Sequence, residues 1–350
     1  MSPSPVDSGR EGRLPSALGD DAALRAHLAE HGVLDEPLTA RLVGDGHSNL
    51  TFLLTGRRTG TRVVLRRPPT TATPGAHDVL REARFMSALA DTAVPVPRVF
   101  ATAAAGELLD VPCFVMEYVE GPVVTTSTPE PLALPEVRHE IGLALADTLA
   151  ALHAVDPKTV GLGDVGRPEG FNVRNLRRMT RLVELPDGTM PPEFAELYDW
   201  LLANAPAESD ATIYHGDFRL GNVLLAPEPP GRVAAVLDWE LATIGDPLID
   251  VAYLLATFPV PGEVRTPTQD LGAAVDEPGW PSRAEVAARY AERSGRSLDG
   301  LAWYSAFALW KVATLYEFST RAGRDPYYED PSFVPSLLAA SRAAAGQEIA

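Results

Sequence analysis

HGDFRLGNVLL, residues 215–225, and VLDWELATIGDPLID, residues 236–250, carry the densest chemical signal in the chain. Asp217 and Asn222 stand five apart in a tight polar loop, and Asp238 follows after a short apolar run. A carboxylate that can take a hydroxyl proton, an amide oxygen and a second carboxylate are the groups that phosphoryl transfer calls for. Asp217 is expected to act as the base on an acceptor hydroxyl. Arg219, two residues on, can meet the transferring phosphate as a fixed cation. Asn222 and Asp238 are expected to give oxygen ligands to Mg2+, which favours sparse oxygen sets with waters retained. His215 is expected to hydrogen-bond the loop into shape rather than to move protons.

The spacing of Asp217 and Asn222 alone also fits a plain polar turn; Asp238 behind an apolar strand is what favours a site. Composition narrows the partners. The chain has 350 residues, 45% hydrophobic and 22% charged, enough for two domains or one two-lobed fold. A formal net charge of −17, with no evident basic stripe, argues against a nucleic-acid partner. The surplus acid is read chiefly as a solubility device. The single cysteine, Cys113, excludes an internal disulfide and any cysteine metal cluster, and its setting in VPCFVMEYV suits a small buried hydrophobe. MSPSPVDSGREGRLPS at the start has no apolar core of a signal peptide. The nearest approach to a membrane span, IGLALADTLAALHAV, is interrupted by Asp147 and is short of the ~18 apolar residues a span requires. A cytoplasmic protein with no membrane partner is expected.

Along the chain, DDAALRAHLAEH has helical periodicity behind acidic starters, and NLTFLL and TRVVL flank GRRTG as a hairpin. HDVLREARFMSALA reads as a helix, and VPVPRVFAT and ELLDVPCFVMEYVEG as further strands. Past Pro129 the character turns helical: 135–154, two helices over 167–205, a helix over 283–294 opened by a Ser282/Glu285 capping box, and the apolar LAWYSAFALWKVATLYEF near the end. Short strands in TIYHG, NVLLA and VAAVLDW enclose the 215–222 loop. The expected organisation is a loose tail over 1–18, a β-rich lobe over 19–120 with a hinge near its end, and a helical catalytic and substrate lobe over 121–350.

These motifs, with LRRPP, AHDVLREARFMSAL, VPVPRV and VMEYVEG, resemble the aminoglycoside phosphotransferase family, the small-molecule branch of the protein-kinase-like fold. More narrowly they resemble the phosphotransferase group related to domains fused to some acyl-CoA dehydrogenases, over about residues 25 to 320. The resemblance implies an α+β, bilobal protein-kinase-like fold that uses ATP and Mg2+. It places Arg66 where kinases usually carry a lysine on the α- and β-phosphates, and Glu82 on the following helix as its partner. Alternation puts Val64 and Arg66 on one strand face and Arg67 on the other. Arginine keeps the charge, adds a fork and needs more room. GDGHSNLT, residues 44–51, would cover the phosphates, with Ser48 and Asn49 offering hydrogen bonds. Met116 would back the adenine pocket, and backbone groups of Glu117 and Val119 would bond adenine. Asp250 in PLIDVAYLL takes a structural role, capping a helix and tying down the catalytic loop.

The expected reaction is transfer of the γ-phosphoryl group of ATP to a hydroxyl of a small molecule. An aminoglycoside-like antibiotic or a hydroxylated metabolite, such as a hydroxyacyl thioester, is the acceptor. Arg174, Arg177, Arg178 and Arg181 would suit an anionic acceptor if they line the pocket, and otherwise form a solvated helix face. Of Trp303, Tyr304, Trp310, Tyr316 and Phe318, most are expected in the core and one or two at the acceptor. A protein kinase is disfavoured: H-R-D and D-F-G are missing, no A-P-E occurs downstream of Asp238, and Trp239-Glu240 follows Asp238. A P-loop motif is also missing. The alternative is a nucleotide-binding, kinase-like scaffold with little or no transfer, for which Arg66 is the opening.

Overall fold

Alternation in the first hairpin sorts its side chains onto two faces, and the first unit is built on that sorting. The computed structural model describes residues 15–43, 49–69, 78–207, 210–323 and 325–346. It divides into two units, Met1–Glu120 with Leu237–Glu240, and Gly121–Val236 with Leu241–Ala350. The two together are a kinase-like α+β fold, one unit β-rich and the other mainly helical.

The first unit runs α1 (Asp21–Glu30), β1 (Leu38–Leu42), β2 (Leu50–Gly56), β3 (Arg62–Arg67), α2 (Val79–Leu89), β4 (Val99–Ala103) and β5 (Cys113–Glu117). Its antiparallel sheet has the order β1-β2-β3-β5-β4, with Leu54 opposite Val63, Thr51 opposite Arg66 and Val64 opposite Met116. Val63 and Leu65 join Leu24, Leu28, Phe52, Leu54, Cys113 and Val115 in one buried cluster. Removing those side chains from water is the main stabilising term, at about 25 cal/mol per Å2 of apolar surface. Burial pushes the Cys113 thiol up to about 11, so it sits there as an inert hydrophobe. Val64 and Arg66 take the opposite face of β3. Arg67, on the cluster side and buried, donates to Pro68 O at 3.0 Å and to Ala17 O, and lies 3.7 Å from Asp110. Helix α2 starts at Asp78, whose carboxylate accepts from Arg81 N at 3.0 Å. Its inward stripe, Val79, Ala83, Phe85, Met86 and Leu89, also buries Glu82.

The second unit runs α3 (Pro135–His153), α4 (Phe171–Val183), α5 (Pro192–Ala203), β6 (Thr212–Tyr214), β7 (Val223–Leu225), β8 (Val233–Val236), β9 (Thr243–Gly245), α6 (Pro247–Ala256), α7 (Pro267–Asp270), α8 (Arg283–Ser294), α9 (Leu301–Ala322) and α10 (Phe333–Gly346). Two short antiparallel ribbons, β6 with β9 and β7 with β8, frame the 215–222 loop. The capping box of α8 is formed: Ser282 N donates to Glu285 Oε2 at 2.8 Å and Glu285 N to Ser282 Oγ at 3.2 Å. Asp147, the charge interrupting α3, accepts from Arg289 on α8 at 2.7 and 3.0 Å, so it ties the two helices together. Helix α9 is the spine, packing on α4, α5, α6 and α10. Its buried Trp303 and Trp310 donate their indole N–H groups to Leu201 O (2.8 Å) and Phe194 O (3.2 Å). Phe318, in contrast, is exposed. Among the described residues no helix is long and apolar enough to cross a membrane.

Candidate active site

The first unit assembles a charge cluster around Arg66. Its Nε lies 3.0 Å from Glu82 Oε2, and its Nη2 donates to Asp238 Oδ1 at 2.8 Å. A planar guanidinium can serve two carboxylates from different edges, which a lysine ammonium does less rigidly. Burial pushes the Glu82 carboxyl up to about 8, against the pull of Arg66. Burial likewise opposes the charge on Arg66, but Glu82, Asp238 and Glu240 outweigh it, so its pKa is raised. Asp238 has φ 65, the one non-glycine residue with positive φ among the described residues. Such a conformation is uncommon outside glycine, asparagine and aspartate, and local strain of this kind gathers at functional sites. Trp239, fully buried, follows it, and its N–H reaches Glu82. Arg81 donates to Glu240 O at 3.4 Å.

The remaining first-unit candidates take separate places. Val64 and Met116 are buried cross-strand partners. The N–H of Glu117 is taken by Arg98 O at 2.8 Å, so only its carbonyl could meet a ligand. Val119 is partly exposed beyond the end of β5. Asn49 is buried, and among the described residues neither of its side-chain amide atoms has a hydrogen-bond partner. Ser48, with Gly44 and Gly46, lies outside the described residues.

In the second unit the 215–222 loop is held from several sides. Gly216 has φ 93, and a Cβ there would sit 2.7 Å from Leu241 Cβ and 3.0 Å from its carbonyl oxygen, so glycine is required. The fully buried Asp250 carboxylate accepts from His215 N at 2.6 Å and Gly216 N at 2.8 Å. It thus ties down the loop, but it does not cap a helix. The N-cap of α6 is Asp246, whose carboxylate accepts from Leu248 N at 3.1 Å, Asn172 Nδ2 at 2.9 Å and Tyr304 OH at 2.7 Å. Asp250 instead lies one turn inside α6, where its side chain is aimed at the loop. His215, fully buried, accepts from Asp217 N at 3.2 Å through Nδ1.

Asn222 Nδ2 donates to Asp217 Oδ2 at 2.6 Å and Asp217 O at 2.8 Å, which commits the amide nitrogen and leaves Oδ1 for another partner. Arg219 Nε lies 3.5 Å from Asp217 Oδ1. Tyr253 hydrogen-bonds Asp217; burial first, and then that carboxylate, raise its pKa well above the usual range. Asp217 opens onto a cavity of about 210 Å3 whose lining includes Arg219, Tyr253, Lys311, Tyr316 and Tyr328, with aliphatic walls from Ile249, Leu271, Val312 and Leu315. Arg174, Arg177, Arg178 and Arg181 are exposed on α4 and none lines this cavity. Arg174 donates to the carbonyls of Glu169 and Arg167.

Sequence reasoning missed Tyr253, Tyr328 and Lys311. Only Lys311 carried a readable sign, a lone cation in an otherwise apolar stretch of α9. Among the described residues no group of three or more His, Cys, Asp or Glu could by itself hold a metal ion. The oxygens of Asp238 and Asn222 are nevertheless the hard donors that Mg2+ takes.

A family model described as "Phosphotransferase enzyme family" (APH) matches residues 39–307. Mouse acyl-CoA dehydrogenase family member 10 is 31% identical over 317 residues, covering 89% of this chain and 29% of the relative. The chain spans 29% to 39% of the length of the first curated relatives it matches. A solved protein of Ralstonia eutropha JMP134, assigned as an aminoglycoside phosphotransferase, is 30% identical with a TM-score of 0.77, covering 94% of this chain and 98% of that one. The GDP and kanamycin complex of APH(2″)-IIIa shares the fold at 16% identity and a TM-score of 0.60, over 93% and 98% of the two chains.

Proposed function

This chain belongs to the phosphotransferase enzyme family, and on that premise we propose that it transfers the γ-phosphoryl group of ATP to a hydroxyl of a small molecule. The observation that carries the reading is Asp217, hydrogen-bonded by Asn222 and Tyr253 at the wall of a cavity large enough for a small acceptor. Asp217 accepts the proton of the acceptor hydroxyl as that oxygen attacks phosphorus. Asn222 and Tyr253 restrict its rotamers, so the base waits in place. Arg219 offers positive charge to the transferring group. Arg66, set by Glu82, offers its guanidinium edge to the nucleotide phosphates.

Asp238 and Asn222 would each hold Mg2+, the first through its carboxylate and the second through Oδ1. Bound there, the ion would neutralise charge on the phosphates. For the acceptor, Arg219 and Lys311 stand against Asp217 among the residues lining the cavity, so the lining disfavours a polycation. A neutral or anionic hydroxylated metabolite is the better match. Because the first curated relatives are acyl-CoA dehydrogenase family members, a hydroxyacyl thioester is the acceptor to assay first. The competing scaffold reading rests on the ion pair between Arg66 and Asp238, which occupies both groups. Mass spectrometry of reactions holding MgATP with hydroxyacyl-CoAs, aminoglycosides and macrolides separates these readings. A phosphorylated hydroxyacyl product is expected; ATP bound with none of the three classes modified would favour the scaffold.

A further inference from the structure

Lys158 and Lys311 are the only lysines in a chain of 30 Lys and Arg residues. Lys158 is exposed; Lys311 is buried on α9. The Lys311 ammonium donates to Tyr214 OH at 2.7 Å and to Gly216 O at 3.2 Å, and sits 5.3 Å from the centre of the Tyr214 ring. The Gly216 carbonyl belongs to the peptide unit that enters Asp217, and the N–H of the same unit is held by His215 Nδ1 at 3.2 Å. Both polar ends of that peptide are therefore fixed, one by a buried cation. Asp250 fixes the preceding N–H of Gly216 at 2.8 Å. The phosphotransfer scheme above counts Lys311 only as positive charge in the cavity lining and gives it no part in the transfer step.

We propose that Lys311 is the positioning residue of the catalytic loop, its ammonium fixing the direction of Asp217, so that transfer depends on that ammonium keeping its proton. The proposal rests on the phosphotransferase reading of the site. A charged donor holds a carbonyl more strongly than a neutral amine does, and a small misplacement of a catalytic group is costly. The groups facing Lys311 are Tyr214 on β6, Asp250 on α6, Asp217 in the loop and Arg178 on α4. Among the described residues, α5 and α10 add no charged group that acts on it. Burial pushes the ammonium down to about 8; Asp250 and Asp217 hold it up, and Arg178 lowers it further.

The sign separates positioning from mere stabilisation. Between about 8 and the usual lysine value of 10.5, the unfolded chain keeps a proton that the folded one loses. The contribution of Lys311 to stability therefore rises with pH over that window. Turnover, by contrast, should fall through pH ~8 as the grip on Gly216 weakens.

Lysine labelled with 13C at Cε gives two resonances, which Lys158→Arg assigns. Titration by NMR is expected to show Lys311 changing near pH 8 and the alkaline limb of kcat at the same pH, without loss of thermal stability. Lys311→Met should lower kcat on the order of 100-fold, with a flat alkaline profile and unchanged MgATP affinity. Lys311→Arg, which keeps the charge, should recover part of kcat and carry its alkaline limb to higher pH. A Lys311→Met enzyme with wild-type kcat, or with the same alkaline limb, overturns the proposal. A wild-type protein inactive on every acceptor would contradict the phosphotransferase reading instead. Hydrogen exchange of the Gly216 and Asp217 amides in Lys311→Met then decides the positioning role: lost protection supports it and unchanged protection overturns it.

Discussion

Arg66 Nη2 donates to Asp238 Oδ1 at 2.8 Å, across 172 residues of sequence. The same guanidinium meets Glu82 at 3.0 Å through Nε. At the strand position where the resemblance to kinases leads one to expect a lysine, this arginine bridges two carboxylates. The fork sets two acidic groups at once.

Arg66→Lys keeps the charge but gives up the second edge. The expected result is a folded protein whose KM for ATP rises about tenfold, consistent with loss of one charge-assisted bond. Arg66→Met removes the cation beside buried Glu82 and should destabilise the protein by about 1–3 kcal/mol in urea titration. Equal stability of Arg66→Met and wild type would show that the pair contributes nothing to the fold.

Glu82 gives a pH signature. Its folded pKa is raised to about 8 by burial from the usual 4.5. Between those values the folded state binds more protons than the unfolded one, so stability falls as pH rises from about 5 to 8. Glu82→Gln cannot titrate and should flatten that slope. Thermal melts across the range check the sign: a wild-type slope retained in Glu82→Gln would assign it elsewhere.

Local signals carried much of the architecture. The β2–β3 hairpin and the α8 capping box were readable because each is settled within a few residues. The pairing of Arg66 with Glu82 needed only a strand, a helix and a spacing of sixteen positions. Asp250 was readable as a support of the loop, yet its neighbour Asp246 was missed as the helix cap, because both are acidic residues near one helix start. The cavity wall was readable only in part: Arg219 was named, Tyr316 belonged to the aromatics of which one or two were expected there, and Lys311 showed as a lone cation. Tyr253, Lys311 and Tyr328 join Asp217 around one cavity from 36, 94 and 111 residues further along the chain, and no local pattern encodes that packing.

Asp250→Asn tests the loop anchor. The carboxylate is fully buried and takes two backbone N–H groups; an amide can take only one of them without turning an N–H donor against the other. The fold should survive at a cost of about 1–3 kcal/mol, with kcat lowered by more than tenfold. Amide exchange at His215 and Gly216 should accelerate. Unchanged exchange at both would remove Asp250 from the loop's support.

Asp238→Asn is the informative change at the proposed metal carboxylate. Asparagine tolerates the left-handed backbone that φ 65 imposes, whereas alanine would add strain. Calorimetry should show ATP binding that no longer responds to Mg2+, with stability near wild type. Full metal dependence in that variant would refute the ligand role.

The central claim is that Asp217 is the base for transfer to a small hydroxyl. Asp217→Asn keeps the shape of the side chain and removes its ability to take a proton. Single-turnover phosphotransfer to the best acceptor, measured beside MgATP affinity in the same preparation, tests it most directly. The account predicts a rate loss of about 10²–10⁴ with ATP affinity unchanged. Transfer at the wild-type rate in Asp217→Asn would contradict it.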